Sequence, residues 1–308
     1  MAGSSKKVIY AALIGNALIS ITKFAAAFIT NSSAMLSEGI HSLVDTGNQI
    51  LLLYGIKRAK KPADEMFPFG YGKEIYFWSF VVAILIFAVG AGVSLYEGIH
   101  RVLHPQPMTD VYINYIVLGL AIVFEGGAWF MALKEFKKQK GTRGFVHAIQ
   151  RAKDPSIFVV LFEDSAALLG LLVALIAIFV GQQTGNIYLD GVASIIIGLI
   201  LGATAIWLAY ETKSLLIGER ANTPVVDGIR ELAKSSVQVK NVNEVATMHM
   251  GPDFVLVNLS LDFIDDISSQ EVEQAVSVMT LSIKEAFPGV KRVFIEAESR
   301  IQHQKTSG

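Results

Sequence analysis

The stretch Ser33–Ile56 reads SAMLSEGIHSLVDTGNQILLLYGI and is long enough to cross a lipid bilayer as one helix, which takes about 20 residues. His41 and Asp45 are four positions apart in it, so a helix places their side chains on one face, one turn from each other. Ionisable side chains inside a spanning helix are costly to bury and by default indicate a functional site. We therefore interpret the pair as functional. The structural alternative is a hydrogen bond between packed helices.

Apolar runs on both sides of this stretch predict further spans. Together with it they give six helices, at residues 8–30, 33–56, 74–103, 112–135, 155–181 and 186–211. Over the whole chain 52% of the residues are hydrophobic and 17% are charged, and the mean hydropathy is +0.49. A soluble domain carries about 25% charged residues. We therefore predict an integral, polytopic α-helical membrane protein in a lipid bilayer.

Positive charge is unevenly distributed among the loops. It concentrates between the second and third spans, at Lys57, Arg58, Lys60, Lys61 and Lys73, and between the fourth and fifth, at Lys137, Lys138, Lys140, Arg143, Arg151 and Lys153. Positively charged loops stay in the cytoplasm. We therefore expect both termini to be cytoplasmic, and we expect the membrane to be a bacterial inner or plasma membrane.

The apolar runs end near residue 211, and a small soluble domain is predicted after them. Its pattern is a helix at 222–236, strands at 238–250 and 253–263, a helix from 268 to about 287, and a strand at 290–298. The predicted domains are a cytoplasmic N-terminal tail at 1–7, the membrane domain at 8–211, a cytoplasmic domain at 212–299 and a disordered tail at 300–308. The predicted fold class is six transmembrane helices followed by a small cytoplasmic α+β (α-β-β-α-β) domain.

Composition argues against several other classes of protein. The net charge of −1 gives no indication of nucleic-acid binding. The chain has no cysteine, which excludes thiolate metal sites, disulfides and cysteine catalysis. It contains no His-Glu-x-x-His helix and no nucleophile beside a base, so we do not expect an enzyme.

Other ionisable residues in the spans are sorted by their position along the helices. Glu97 and Asp190 lie towards the outer ends of the third and sixth spans, where we expect water to reach them. Asp190 is expected to start a helix rather than to bind a ligand. Lys23 can neutralise a carboxylate, and Glu125 is expected to make a hydrogen bond between packed helices.

His41, Asp45, Glu163 and Asp164 remain as candidate metal ligands. Glu163 and Asp164 are adjacent and point about 100° apart on a helix, so we do not expect both to face one small ion. If Asp164 faces the second span, one imidazole and two carboxylates meet there. That set suits Zn²⁺ first, and also Fe²⁺ or Co²⁺. Carboxylate oxygens alone would favour Mg²⁺ or Mn²⁺.

The position of this site indicates transport. A site near the middle of the bilayer, between helices that move, can open to one side at a time. Metal binding needs neutral imidazole and ionised carboxylates, so it releases protons, and protons displace the metal. We therefore predict proton-coupled efflux of a divalent cation, with the metal as substrate and protons as counter-substrate.

Four motifs resemble those of the cation diffusion facilitator family, the divalent-metal/proton antiporters. They are Ser37–Asp45, Phe69–Glu74, Leu103–Pro105 and Tyr188–Ser194. The resemblance covers nearly the whole chain and implies a homodimer whose cytoplasmic domains associate. It also implies a tetrahedral site with two ligands on the second span and two on the fifth. His41 and Asp45 match the first two positions, and Asp164 matches one of the others.

The remaining fifth-span position holds Val160, which cannot bind a metal. The Glu163-Asp164 pair resembles instead the branch that includes the vertebrate nuclear and mitochondrial zinc-transporter-like members. As fourth ligand we favour Glu163 or a water molecule; the other candidates are Ser37, Asn48 and Asn16.

The family also binds regulatory metal in its cytoplasmic domain. Here that domain offers His249, His303 near its end, and Glu296 and Glu298 on one strand face. We favour a solvated acidic face and a surface histidine over a metal site.

Two alternatives for the whole protein stay open. One is a carrier of Mn²⁺, Fe²⁺ or Mg²⁺ with the same mechanism, and the other is a membrane metal sensor or scaffold that transports nothing.

Overall fold

A computed structural model describes residues 2–140 and 154–306. Two of the arginines in the predicted basic loop, Arg143 and Arg151, lie outside the described residues, as does Lys153. The chain falls into two compact units. The membrane unit takes Met1–Arg58 and Glu74–Lys213, and the second unit takes Ala59–Lys73 and Ser214–Gly308.

The membrane unit is built from long helices. They are α1 (Ala2–Thr30), α2 (Ser33–Ala59), α3 (Glu74–Leu85), a π-helical turn (Ile86–Ala91), α4 (Gly92–Leu103), α5 (Val111–Lys140), α6 (Pro155–Thr184) and α7 (Leu189–Ile217). The third predicted span is therefore α3, the π-helical turn and α4 in one run. α1 begins at Ala2, whereas the sequence predicted its start at residue 8.

Five stretches of the described chain are long and apolar enough to cross a membrane. They are Leu13–Thr30, Glu74–Leu103, Val111–Lys137, Phe158–Thr184 and Leu189–Ile217. α2 has the required length, at 27 residues, but its polar side chains lower its hydropathy. The predicted fold class, six spans followed by a small α+β domain, is confirmed.

The third and sixth spans approach each other closely through glycines. A Cβ atom added to Gly98 would lie 2.7 Å from the backbone nitrogen of Ile195. One added to Gly191 would lie 2.9 Å from the backbone nitrogen of Val102. Small residues allow membrane helices to pack backbone against backbone, so α4 and α7 form a tight pair.

The second unit contains α8 (Thr223–Lys234), β1 (Val239–Gly251), β2 (Phe254–Phe263), α9 (Ser269–Ala286), β3 (Val290–Ala297) and α10 (Arg300–Thr306). The strand order is β1-β2-β3, with β1 antiparallel and β3 parallel to β2. Its core includes Val257 and Leu259 of β2, Ile229 of α8 and Ile283 of α9, all fully buried. The predicted α-β-β-α-β order is therefore present.

Two features of this unit differ from the sequence prediction. Arg300–Thr306 forms a short helix where a disordered tail was predicted. Ala59–Lys73, predicted only as a loop between spans, belongs to the second unit, where Gly72 packs against the turn at Gly251. In this segment Lys61 and Tyr71 both donate to Asp64, and these hydrogen bonds hold the pKa of Asp64 below its usual range.

Candidate metal site

α2 carries its polar side chains on a buried face. Side chains of this face that are at most 2% exposed are Ser37, Glu38, His41, Ser42, Asp45, Asn48 and Gln49. They recur every three to four positions, as one face of a helix does. The exposed side chains of α2 include the apolar Leu43, Ile50 and Tyr54. The helix is thus polar towards the protein interior and apolar towards lipid, the reverse of a helix on a soluble protein.

His41 and Asp45 lie together on this face. Nδ1 of His41 is 3.4 Å from Oδ1 of Asp45, and the two side chains are 1% and 2% exposed. Neither ring nitrogen of His41 makes a hydrogen bond to the described residues, nor does Oδ1 of Asp45. A buried polar atom without a partner costs about 1–3 kcal/mol. Such atoms, gathered on one face, are typical of a site built for a ligand.

α6 brings its acidic pair to the same region. Glu163 and Asp164 are 1% and 3% exposed. Oε1 of Glu163 accepts a hydrogen bond of 2.9 Å from Nδ2 of Asn48, so α2 and α6 are in contact here. Oε2 of Glu163 and Oδ2 of Asp164 have no hydrogen-bond partner within the described part of the chain. The carboxylate of Asp45 is close enough to repel those of Glu163 and Asp164.

The structure therefore forms two separate pairs, His41 with Asp45 and Asn48 with Glu163. Within residues 2–140 and 154–306, no three histidine, aspartate or glutamate side chains are gathered closely enough to hold an ion as they stand. Val160, at the position where the family pattern has a ligand, is a buried apolar side chain. A metal ion would have to draw the carboxylates of α2 and α6 together.

Lys23 and Glu125, whose partners the sequence did not identify, form a buried ion pair at 2.7 Å. Lys23 also pairs with Glu38 at 3.0 Å and donates to the hydroxyl of Ser42 at 2.8 Å. The expectation that Lys23 neutralises a carboxylate fits this geometry, but it contacts two. Glu125 makes an ion pair rather than the neutral packing hydrogen bond that we expected.

Gly170 of α6 makes room for this network. A Cβ atom at Gly170 would collide with Oε1 of Glu38. The two helices therefore approach each other where the carboxylate of α2 meets a residue without a side chain.

Asp190 differs from its prediction. It lies in the first turn of α7 as expected, but it is 1% exposed rather than accessible to water. Its carboxylate accepts hydrogen bonds from the backbone nitrogens of Ser33 and Ala34 at 2.6 and 3.2 Å, and Arg101 lies 3.4 Å away. The first N–H groups of a helix lack partners within the helix. Asp190 thus caps α2 from another span and orients the helix that carries His41 and Asp45.

We expect Asp190→Asn to lower the free energy of unfolding by about 3 kcal/mol, because it leaves the buried charge of Arg101 without its counter-charge. The measurement is thermal unfolding of the purified full-length chain in detergent, followed by tryptophan fluorescence. The control is Asp110→Asn. Asp110 is exposed with φ of 45°, a conformation that asparagine also adopts. Equal unfolding temperatures for the two variants would contradict the capping role.

The histidines of the second unit lie differently from the prediction. His249 is 5% exposed on β1 and is not a surface histidine. Glu298 pairs with His303 of α10 at 2.9 Å, and this contact holds the pKa of Glu298 below its usual value. Glu296 stays exposed on β3.

The family model described as the cation efflux transmembrane domain matches residues 9–217, which span α1 to α7. The chain belongs to the cation efflux family. This confirms the resemblance to the cation diffusion facilitators, and with it the prediction of a membrane transporter rather than an enzyme. α2, too polar to be recognised as a span by hydropathy alone, lies inside the matched transmembrane domain.

Individual relatives of this cation efflux protein carry names that specify a metal. The proton-coupled zinc antiporter SLC30A9, mitochondrial, of Xenopus laevis is 36% identical over 265 residues, which cover 85% of this chain and 47% of the relative. Metal tolerance protein C4 of Arabidopsis thaliana is 28% identical, covering 84% of this chain and 57% of the relative. The manganese efflux system protein MneP of Bacillus subtilis is 25% identical, covering 94% and 95%. The chain spans about half the length of the first two.

Proposed function

We propose that this chain exchanges a divalent transition-metal cation, Zn²⁺ first, for protons across its membrane. The observation that carries the proposal is the set of unpaired buried polar atoms on the facing surfaces of α2 and α6. His41, Asp45 and Asp164 bind the ion, and Glu163 or a water molecule completes a tetrahedral site. Because three carboxylates repel one another without a cation, the incoming ion draws Asp164 towards Asp45.

Protons take the place of the ion in the other half of the cycle. When the metal leaves, the buried carboxylates and the imidazole are stabilised by protonation instead, because an unpaired buried charge is costly. Alternating access then couples the two fluxes. We further propose that the protein works as a homodimer, with both termini in the cytoplasm of a bacterial inner or plasma membrane, and that it exports the metal.

Zn²⁺ is favoured by the imidazole of His41 and by the zinc antiporters among the relatives. The second candidate substrate is Mn²⁺. It is favoured by the excess of carboxylate oxygens over nitrogen at the site and by the manganese exporter among the relatives. Fe²⁺, Co²⁺ and Mg²⁺ remain further candidates with the same mechanism.

The test is flux in proteoliposomes that contain the purified full-length chain, with a zinc indicator and a pH dye inside. With an acidic interior we expect Zn²⁺ uptake together with alkalinisation of the lumen, and we expect both to stop when nigericin and K⁺ collapse the pH gradient. Addition of Mn²⁺ outside ranks the two metals by competition. Zinc binding without any flux would indicate a sensor or scaffold instead, and zinc flux that ignores the pH gradient would contradict proton coupling.

A further inference from the structure

The ammonium group of Lys23 is held like a coordinated cation. Three oxygens from two other spans surround it: Oε2 of Glu38 at 3.0 Å and Oγ of Ser42 at 2.8 Å, both on α2, and Oε1 of Glu125 at 2.7 Å on α5. Lys23 and Glu38 are completely buried, and Ser42 and Glu125 are at most 3% exposed. A lysine ammonium has three donors, and all three are used here. We call these three oxygen-bearing residues the lysine cage.

The cage holds more negative charge than Lys23 compensates. Two carboxylates face one ammonium, and the second oxygen of each carboxylate, Oε1 of Glu38 and Oε2 of Glu125, has no hydrogen-bond partner among the described residues. Both oxygens are buried, so water does not satisfy them from the surface. A pair of carboxylates with a hydroxyl group and free lone pairs is a ligand set that hard divalent cations prefer.

The cage lies beside the candidate metal site and acts on it electrostatically. Ser42 follows His41 directly, and Glu38 precedes it by one turn of α2. The charges of Lys23 and Glu125 both act on Asp45, and that of Glu125 also acts on Asp164. Whatever cation occupies the cage therefore changes the field at the site proposed for the transported ion.

We propose that Lys23 is a tethered cation that fills a second cation site, formed by Glu38, Ser42 and Glu125, and that this cage binds a divalent ion of its own when the ammonium is removed. The lysine keeps the membrane unit to a single exchangeable ion and offsets the carboxylates next to it. The proposal relies on the proposed function only for the transported ion at Asp45, since the cage has its own ligands.

The competing explanation is that Lys23 only ties α1, α2 and α5 together. The two explanations differ in what the chain binds without Lys23. A purely structural ion pair leaves, on removal, an unstable chain with no new affinity. A filled cation site leaves a ligand set that a free cation can occupy.

The experiment counts bound Mn²⁺ on the purified full-length chain by electron paramagnetic resonance, with Mn²⁺ as the only added metal. Lys23→Met should bind one more ion per chain than the wild type. Lys23→Met combined with Glu125→Gln should return to the wild-type count, because the cage then lacks one carboxylate. Lys23→Arg should match the wild type, because it keeps the positive charge in place.

The same count in Lys23→Met as in the wild type would overturn the proposal. If Lys23→Met is too unstable to count, the readout is the unfolding temperature, which Mn²⁺ should raise more in this variant than in the wild type; an equal or smaller rise would also overturn it. Adding Asp45→Asn to Lys23→Met separates the two sites. The extra ion should persist in this double variant, whether or not the wild type proves to transport metal.

Discussion

Asp45→Asn should abolish metal transport and leave the chain folded. Asparagine has the same shape as aspartate but no charge, and its amide is a poor ligand for a transition metal. Oδ1 of Asp45 is buried without a hydrogen bond, so the loss removes no contact that stabilises the fold. Loss of a residue that only supports a ligand costs about 10–100-fold in affinity or activity, and loss of a ligand itself should exceed that.

The measurement is the initial rate of Zn²⁺ uptake into proteoliposomes with an acidic interior. Glu97→Gln is the matched control, because Glu97 is a partly exposed carboxylate of the same membrane unit at a distant cavity that also contains Arg101. The control should transport at the wild-type rate. Wild-type transport by Asp45→Asn would show that Asp45 does not bind the ion.

Asp164→Asn and Glu163→Gln should have different effects, although the two residues are neighbours on α6. Asp164 is proposed as a direct ligand, so Asp164→Asn should abolish transport. Glu163 already accepts a hydrogen bond from Asn48, and a water molecule can take its place at the ion. Glu163→Gln should therefore raise the KM for Zn²⁺ by about 10–100-fold while keeping a measurable kcat.

Measuring KM and kcat for both variants checks this assignment. Asn48→Ala serves as a further comparison, because it releases Glu163 without changing any charge. If Glu163→Gln abolishes transport and Asp164→Asn does not, the two residues have exchanged roles, and Asp164 is not a ligand.

The spans could be predicted because a long apolar run has few alternatives to a membrane helix. α2 was predicted as well, since its polar residues interrupt an otherwise apolar stretch of spanning length. The common face of His41 and Asp45 follows from helical periodicity alone. Such local patterns depend only on residues a few positions apart.

The partners of the buried charges could not be predicted in this way. Lys23 and Glu125 are 102 residues apart in sequence, and Asp190 caps a helix that begins 157 residues earlier. Periodicity says which face a side chain is on, but not which other span faces it. The role of Gly170 depends on the same packing, because its lack of a side chain matters only where Glu38 approaches.

Local signals also failed where tertiary packing decides the structure. Ala59–Lys73 has the composition of a basic loop, and nothing in it indicated that it belongs with the second unit. Arg300–Thr306 is short and polar, which is typical of a disordered end, yet it forms α10. In both segments long-range contacts supply what the local sequence lacks, as with His303 and Glu298.

Anomalous scattering at the zinc absorption edge, from crystals of the full-length chain soaked in Zn²⁺, tests the central claim most directly. We expect a peak between α2 and α6, within bonding distance of His41, Asp45 and Asp164. A map with no peak between these helices, or with peaks only in the second unit, would contradict the claim that they hold the transported ion.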